Sequence, residues 1–502
     1  RIVTIGTPMT FPLFFACAAI AGTCAMDQPQ WGAAWSRNMV SAETNLPAAF
    51  DPKTGENIKW VARLGDETHS TPVIANGRVY LGTNNGEPRH PKHQGDRGVL
   101  MCFDEQTGAF LWQLVVPKRS EDPYFDWPKS GISSSATVDG DRVYIVSNRG
   151  EVLCLDPQGL KNGNDGPFQN EAGHQTPEGE PLIPADETDA DILWAFDMVS
   201  GAGIWSHDGA HSAIIVDGDF LYLNTGTGVD NTHRKIRTPD APSLIVLDKQ
   251  TGRLLARDRE GIAPNIFHCT WSAPALAEVK GMKTIFFAAG NGIIYAFEAL
   301  KEKPPEGEVV NLKSIWRFDP DPAAPKENVH RYTTNRREGP SNTYGMPVYL
   351  DGKLYVTGGG DLWWGKNEAW FKCLRAEGSG DITCSAEIWS YPLNNHTMST
   401  AAVSGDLAFV SDCGRTLHCV NARTGEPYWT HEIRGEAWAS PYLADGKMYM
   451  GTRRGDFWVF EASKQKKVLH AHEFGTPISA TAVAANGTLY LATMTHLYAI
   501  SR

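Results

Sequence analysis

The feature that most constrains the fold is a pair of short apolar runs joined by an x-Gly dipeptide, which the 502-residue chain writes eight times. The copies are "STPVIANGRVYLG" from residue 70, "SSATVDGDRVYIV" from 134, "SAIIVDGDFLYLN" from 212 and "SAPALAEVKGMKTIFFA" from 272, then "GMPVYLDGKLYVTG" from 345, "STAAVSGDLAFVS" from 399, "ASPYLADGKMYMG" from 439 and "SATAVAANGTLYLAT" from 479. Six of the eight turns are Asn-Gly or Asp-Gly, which adopt positive φ readily, so each copy predicts a β-hairpin. Asn486 also fits an N-x-T sequon, but its place in the eighth copy assigns it to a turn. A third apolar run follows the hairpin, as in "VLMCFD", "EVLCLD", "SLIVLD" and "TLHCVN".

A second phrase supplies the fourth strand. Asp51, Asp104, Asp248 and Asn421 each end or flank an apolar run and are followed three and four residues later by Thr-Gly. The Asx side chain can bond backbone two residues ahead, and the Gly permits a bulged type I turn. In three of these copies the chain then reaches a Trp (Trp60, Trp112, Trp429), whose ring can lie over the turn of a neighbouring unit. Eight units of four antiparallel strands predict one all-β domain, an eight-bladed β-propeller. Residues 57–502 allow about 56 residues per blade against ~40–45 in a WD40 blade. The excess falls in insertions at 158–191, 227–241, 299–312, 320–343 and 358–384. The last unit ends three strands in, at "LYAISR", and "NIKW" lacks a partner, so residues 57–61 are expected to pair with 495–500 and close the ring.

Ahead of the propeller stand an extension, 26–56, and an apolar stretch, "FPLFFACAAIAGTCA", at 11–25. The stretch is too short to span a bilayer and ends in a Thr-x-Ala pattern suited to cleavage after Ala25, so residues 1–25 read as a signal peptide. Cys24 lacks a good lipobox, and no other run is long enough for a membrane helix. The expectation is a periplasmic or secreted protein with no transmembrane segment. A net charge of −12 with scattered Lys and Arg argues against nucleic acid as a partner.

Nine cysteines invite a redox or metal reading. Cys102, Cys154 and Cys419 share one place in the third strand, and Cys373 in "FKCLR" fits the same place; a small buried apolar residue explains them. Cys373 with Cys384, and Cys413 with Cys419, are close enough across hairpins to be disulfides in an oxidising compartment, and the sequence leaves the pattern among these four open. No CxxCH is present, so covalent c-type haem is excluded.

The phrases "CFDEQTGAFLW" and "CVNARTGEPYW" resemble the A-x-D-x-x-T-G-x-x-x-W tryptophan-docking motif of PQQ-type propeller repeats. That superfamily includes quinoprotein alcohol dehydrogenases and BamB-type propellers, and the resemblance covers about 57–502. The dehydrogenase branch implies PQQ held with Ca²⁺ by Glu, Asn and Asp, an adjacent Cys pair over the quinone and an Asp base. This sequence contains no adjacent Cys pair. The BamB-like branch implies protein binding through loops and edges. The function expected here is therefore ligand or protein binding, or scaffolding, at the channel mouth; the alternative is a quinoprotein-type dehydrogenase of alcohols or sugars.

Where a ligand would sit follows from the architecture. The first strand of each blade lines the channel, and the residues at or just before the starts of the eight copies are His69, Ser134, His211, Trp271, Tyr344, Met398, Trp438 and Ile478. His268 and His396 lie a few residues upstream in their blades. Five of the eight aligned positions are His or aromatic, in a chain with 15 His. Closure gathers them into one funnel, so His69, His211, Trp271, Tyr344 and Trp438, with His268 and His396, form the candidate ligand site for a small molecule or protein. A binding site is expected to leave Trp271 and Trp438 partly exposed.

Four further groupings can carry chemistry. "NGNDGP" and "ADETDAD" place Asn162, Asn164, Asp165, Asp186, Asp189 and Asp191 in one insertion, an oxygen-rich set of the kind Ca²⁺ uses. "HDGAH" offers His207, Asp208 and His211 as a metal pair. "GGGDLWWGKNEAW" at 358–370 offers three Trp as a stacking platform. "RYTTNRREGP" sets Arg331, Arg336 and Arg337 near it, for an anionic ligand or to offset the acidic surface.

Overall fold

A computed structural model describes residues 26–502; the expected signal peptide lies outside the described residues. Each hairpin copy forms the inner two strands of one antiparallel sheet, and the described residues build eight such sheets. Blade 1 is typical: Val73–Ala75, Arg78–Asn84, Arg97–Asp104 and Phe110–Pro117 pair in order. Its first turn holds Asn76 at φ 53° and Gly77 at φ 76°, two positive values in succession that a β-branched residue could not adopt cheaply. At its second turn one Asp104 oxygen accepts the N–H groups of Gln106 and Thr107 at 3.0 and 2.9 Å, and the strand register slips between Cys102 and Phe103. This is the bulged Asx turn that the repeated phrase predicts.

Blade 8 closes as expected. Ile58–Arg63 pairs antiparallel with His496–Ile500, from Ile58 opposite Ile500 to Arg63 opposite His496. The first and last strands of the described residues therefore share one sheet, and each of the eight sheets has at least four strands. Neighbouring blades are joined by indoles. Trp60, Trp112, Trp194, Trp316, Trp389 and Trp429 each donate Nε1–H to a backbone carbonyl of the following blade, at 2.8–3.1 Å. A Cβ on Gly108 would stand 2.6 Å from the Trp60 ring, so only glycine lets the indole lie flat on that turn.

Two insertions modify the plan. Val310–Asn311 adds in parallel to Leu254–Arg257, and Gly380–Asp381 adds in parallel to Ser314–Phe318, so blades 3 and 4 carry a short fifth strand.

The extension is structural. It runs across the channel end opposite the mouth and bonds every blade in turn. Gln28 bridges Ile74, Val138 N–H donates to Pro29, the Trp35 indole donates to Val216, and Leu276 N–H donates to Trp35. Tyr349 N–H donates to Ser36, Asn38 exchanges two bonds with Val403, Met39 accepts from Leu443, and Glu43 accepts from Asn486 and Gly487. At its centre the fully buried Arg37 guanidinium donates to the carbonyls of Trp31, Ala213 and Pro274. A buried guanidinium is tolerable only with its donors so satisfied. Above this plug sits Trp31, which makes it the floor of the mouth.

Candidate functional site

The mouth is a cavity of about 530 Å³, within the range of small-molecule sites. Six of the seven candidate residues line it: His69, His211, His268, Trp271, Tyr344 and Trp438. His396 does not. It is buried beneath the 358–370 loop, with Nε2 2.9 Å from the Lys366 carbonyl and its own carbonyl accepting from Cys413, so it serves the loop and not the cavity.

The side over blades 3 to 5 is built by two insertions folding inward. In "SHDGAH" the backbone takes φ 55° at Asp208, 88° at Gly209 and 44° at His211, a reversal that turns His207 into the protein. The segment 226–229 then ties it to blade 4. His207 N–H donates to Gly226, and Val229 N–H donates to His268 at 2.9 Å. A Cβ on Gly228 would meet the His268 carbonyl at 2.5 Å, so glycine is what lets the two histidine segments approach. The insertion that follows brings His233, at φ 59°, over both.

Three imidazoles meet there. Their ring centroids are 4.7, 4.8 and 5.1 Å apart (His207–His233, His207–His268, His233–His268). His207 Nδ1 is 2.9 Å from the Val229 carbonyl, and its Nε2 is 3.1 Å from His233 Nε2. His268 Nδ1 is 2.7 Å from Asp361 Oδ2. Burial first, then the neighbouring rings, holds the His207 imidazole well below the usual histidine range and lowers His233 in the same direction.

Asp361 organises the rest of this wall. Its Oδ1 accepts the N–H groups of Trp363 and Trp364 at 3.0 and 2.6 Å, and its Oδ2 also accepts the Tyr344 hydroxyl. The carboxylate is completely buried. Burial alone would raise it, but His268, Tyr344 and the loop N–H hold it at about 2. Trp363 and Trp364 thus reach the cavity while Trp370 returns to the core. Arg336 donates to the carbonyls of Leu362, Trp363 and Gly365, so it staples this loop and has no need of an anionic ligand. Trp271 sits between, buried, its indole N–H shared by the carbonyls of His207 and Gly209.

The side over blades 7, 8 and 1 carries no such scaffold. His69 pairs with Glu67 at 2.8 Å, and Arg453 lies 4.2 Å from the Trp438 ring centroid with a bond to Ser479. His69 and Trp438 are only half-buried. The expected exposure of the site rings therefore holds for Trp438 and fails for Trp271, which is 7% exposed.

The other groupings expected from the sequence, such as "HDGAH", divide in space. His207 joins His233 and His268, not His211, whose ring packs edge-on against Trp271 at 5.3 Å. His233 carries no signal in the sequence, because its partners lie 26 and 35 residues away in a chain without metal-ligand spacing. Asp186 and Asp189 pair with Lys92 at 2.7 and 2.6 Å, whereas Asp165 and Asp191 stand with Asp156. The acidic insertion is therefore two clusters, one of them already neutralised by a lysine. The seven cysteines of the described residues are unpaired, so neither the Cys373–Cys384 nor the Cys413–Cys419 pairing that the sequence leaves open is formed. Cys373 and Cys419 face inward opposite Trp389 and Trp429, whereas Cys384 is exposed and Cys413 points to Ala437.

The residues at the mouth do not fit a quinone held by Ca²⁺. Hard oxygen donors are what Ca²⁺ takes, and imidazoles fill that wall. Asp361 is consumed by His268, Tyr344 and its own loop, and Glu67 by His69. Asp208, the remaining carboxylate on the lining, stands 3.4 Å from His207 Nε2 among imidazoles and not among further oxygen donors. No adjacent Cys pair exists; Cys269 is fully buried with its thiol on the carbonyls of His207 and Gly226. Among the guanidinium groups of the described residues, Arg453 alone lines the cavity to receive a quinone's carboxylates.

Comparison with known proteins agrees with the architecture. The quinoprotein alcohol dehydrogenase PedH of Pseudomonas putida is 24% identical over 464 residues, 84% of this chain and 70% of that protein. Lupanine 17-hydroxylase [cytochrome c] of a Pseudomonas species is 22% identical over 438 residues, and the chain spans 56% of its length. The structure of BamB from Moraxella catarrhalis superposes with a TM-score of 0.55 at 12% identity, covering 88% of this chain and 99% of that one, a likeness of fold. The family described as outer membrane protein assembly factor BamB matches residues 96–256 and 381–501, more than half of the chain. With the bulged Asx turns and the indole-bridged blades, this places the chain in the PQQ-type, BamB-like β-propeller family.

Proposed function

We propose that this chain is an exported binding propeller whose channel mouth takes a flat or sugar-like small molecule. The observation that carries this reading is a floored cavity of about 530 Å³ walled by the rings of Trp271, Tyr344, Trp363 and Trp438, with His69 and Arg453 as polar groups on its open side. Rings fixed on a rigid barrel lose little conformational freedom on binding, so contact area converts efficiently into affinity. Export rests on the 11–25 stretch, and the place of action would be the periplasm or beyond. The dehydrogenase reading finds no fitting quinone-binding set, and the scaffold reading would use blade edges and loops instead of the cavity.

Thermal-shift screening of the purified protein against aromatic, quinone and sugar ligands tests it. A ligand should raise the melting temperature of the unaltered protein, and Trp438→Ala and His69→Gln should abolish that rise. Equal stabilisation of the Trp438→Ala protein would place the ligand elsewhere and defeat the reading. Capture of a protein partner equally well by both variants would favour scaffolding.

A further inference from the structure

We infer that His207, His233 and His268 form a binding site for a divalent transition-metal ion, open to the mouth cavity. One ring nitrogen from each lies within 4.8 Å of the other two. The remaining nitrogens are held as metal sites require. His207 Nδ1 is committed to the Val229 carbonyl and His268 Nδ1 to the Asp361 carboxylate, which directs both Nε2 lone pairs outward. His268 Nε2 is buried and has no hydrogen-bond partner. His207 Nε2 faces His233 Nε2 at 3.1 Å, close to the roughly 3.3 Å between two ligands of a tetrahedral ion with 2.0–2.1 Å Zn–N bonds. Two imidazole nitrogens facing one another at that distance need a proton or a cation between them.

The surroundings suit an ion with a vacant position. Tyr344 and the N–H groups of Trp363 and Trp364 fix the Asp361 carboxylate, so the ring of His268 is oriented through a second layer. Asp208 Oδ2 stands 3.4 Å from His207 Nε2, on the cavity side. His233 and His268 themselves line the cavity, so an ion here would offer its fourth position to whatever enters the mouth. Three imidazole ligands select Zn²⁺, Cu²⁺, Ni²⁺ or Co²⁺ and reject Ca²⁺ and Mg²⁺.

Untagged protein, stripped with chelator and titrated with Co²⁺, tests the site. The expected result is one equivalent bound with the intense visible bands of a four-coordinate ion, displaced by Zn²⁺ and not by a hundredfold excess of Ca²⁺. His233→Gln, in a half-buried loop position, should fold normally and lose at least 100-fold in affinity. Asp361→Asn should lose about 10–100-fold, as changes to a group holding a ligand do, while the distant His496→Gln variant should bind as the unaltered protein does. Absence of saturable one-to-one binding, displacement by Ca²⁺, or undiminished affinity in a folded His233→Gln protein would each overturn the assignment.

Discussion

The two halves of the channel mouth start from equivalent positions in the repeat and end in different chemistry. Over blades 3 to 5, His207, His268, Trp271, Tyr344 and Asp361 are buried and bonded to one another or to backbone. Over blades 7, 8 and 1, His69 and Trp438 keep part of their surface free; they lean on Glu67, Arg453 and each other, and the edge of Trp363 reaches Trp438 from the opposite half. Insertions make the difference. The segment 227–241 and the loop 360–368 fold back over the first half, whereas the chain from blade 7 through the closing strand carries no comparable loop. The rest of the expected 358–384 insertion is the third strand of blade 5, Ala369–Arg375, and its turns. A repeat position thus prescribes where a side chain starts, and the loops above it decide whether it becomes wall or contact surface.

The sharpest way to break this comparison is to remove one ring from each half. Trp271→Ala takes away a buried indole with two hydrogen bonds and should cost about 3–5 kcal/mol, whereas Trp438→Ala should cost about 1 kcal/mol or less because its ring is partly solvated. Urea denaturation of the two variants measures both, and equal losses would erase the distinction.

A smaller effect is expected from the two carboxylates. Asp361→Asn keeps the shape and an accepting oxygen but takes the charge from the bonds to His268, Tyr344 and the loop, at a net cost of about 1.5–3 kcal/mol. Glu67→Gln, on the half-exposed side, should cost under about 1 kcal/mol. The same denaturation series compares them, and a larger loss at Glu67 would mean that the open half is the more rigid one.

The smallest effect concerns pH. The His69 ring, then its charge, lowers the Glu67 carboxyl below the usual range against the opposing effect of burial. A carboxyl lowered in the folded state binds fewer protons there than in the unfolded chain. Its contribution is therefore present above the ordinary Glu value near 4.5 and fades as pH falls below it. Stability of Glu67→Gln should differ from the unaltered protein above pH 4.5 and converge with it on acidification. A gap that widens toward low pH would reverse the sign and refute the pairing.

Much of the ring was legible because its signals are local. An Asn-Gly turn, an Asx-x-x-Thr-Gly phrase and a terminal Trp each act within about ten residues, and eightfold repetition turned weak signals into an architecture. Even the closure, expected between 57–61 and 495–500 and found between 58–63 and 496–500, followed from counting strands. The funnel positions His69, Trp271, Tyr344 and Trp438 were legible by alignment of copies, since equivalent strand starts must converge on one axis.

What the sequence determined by itself, then, was the backbone plan, because hairpin chemistry and alternating apolar strands are short-range and repeated. The tertiary structure alone decided that His207 pairs with His233 and not His211, that Asp361 stands behind His268, that Arg37 bolts an eight-blade plug beneath the mouth, and that the cysteines stand unpaired. Each of these depends on where an irregular insertion or extension comes to rest. That position is set by satisfying buried donors and acceptors across residues tens to hundreds apart, and no local pattern encodes it.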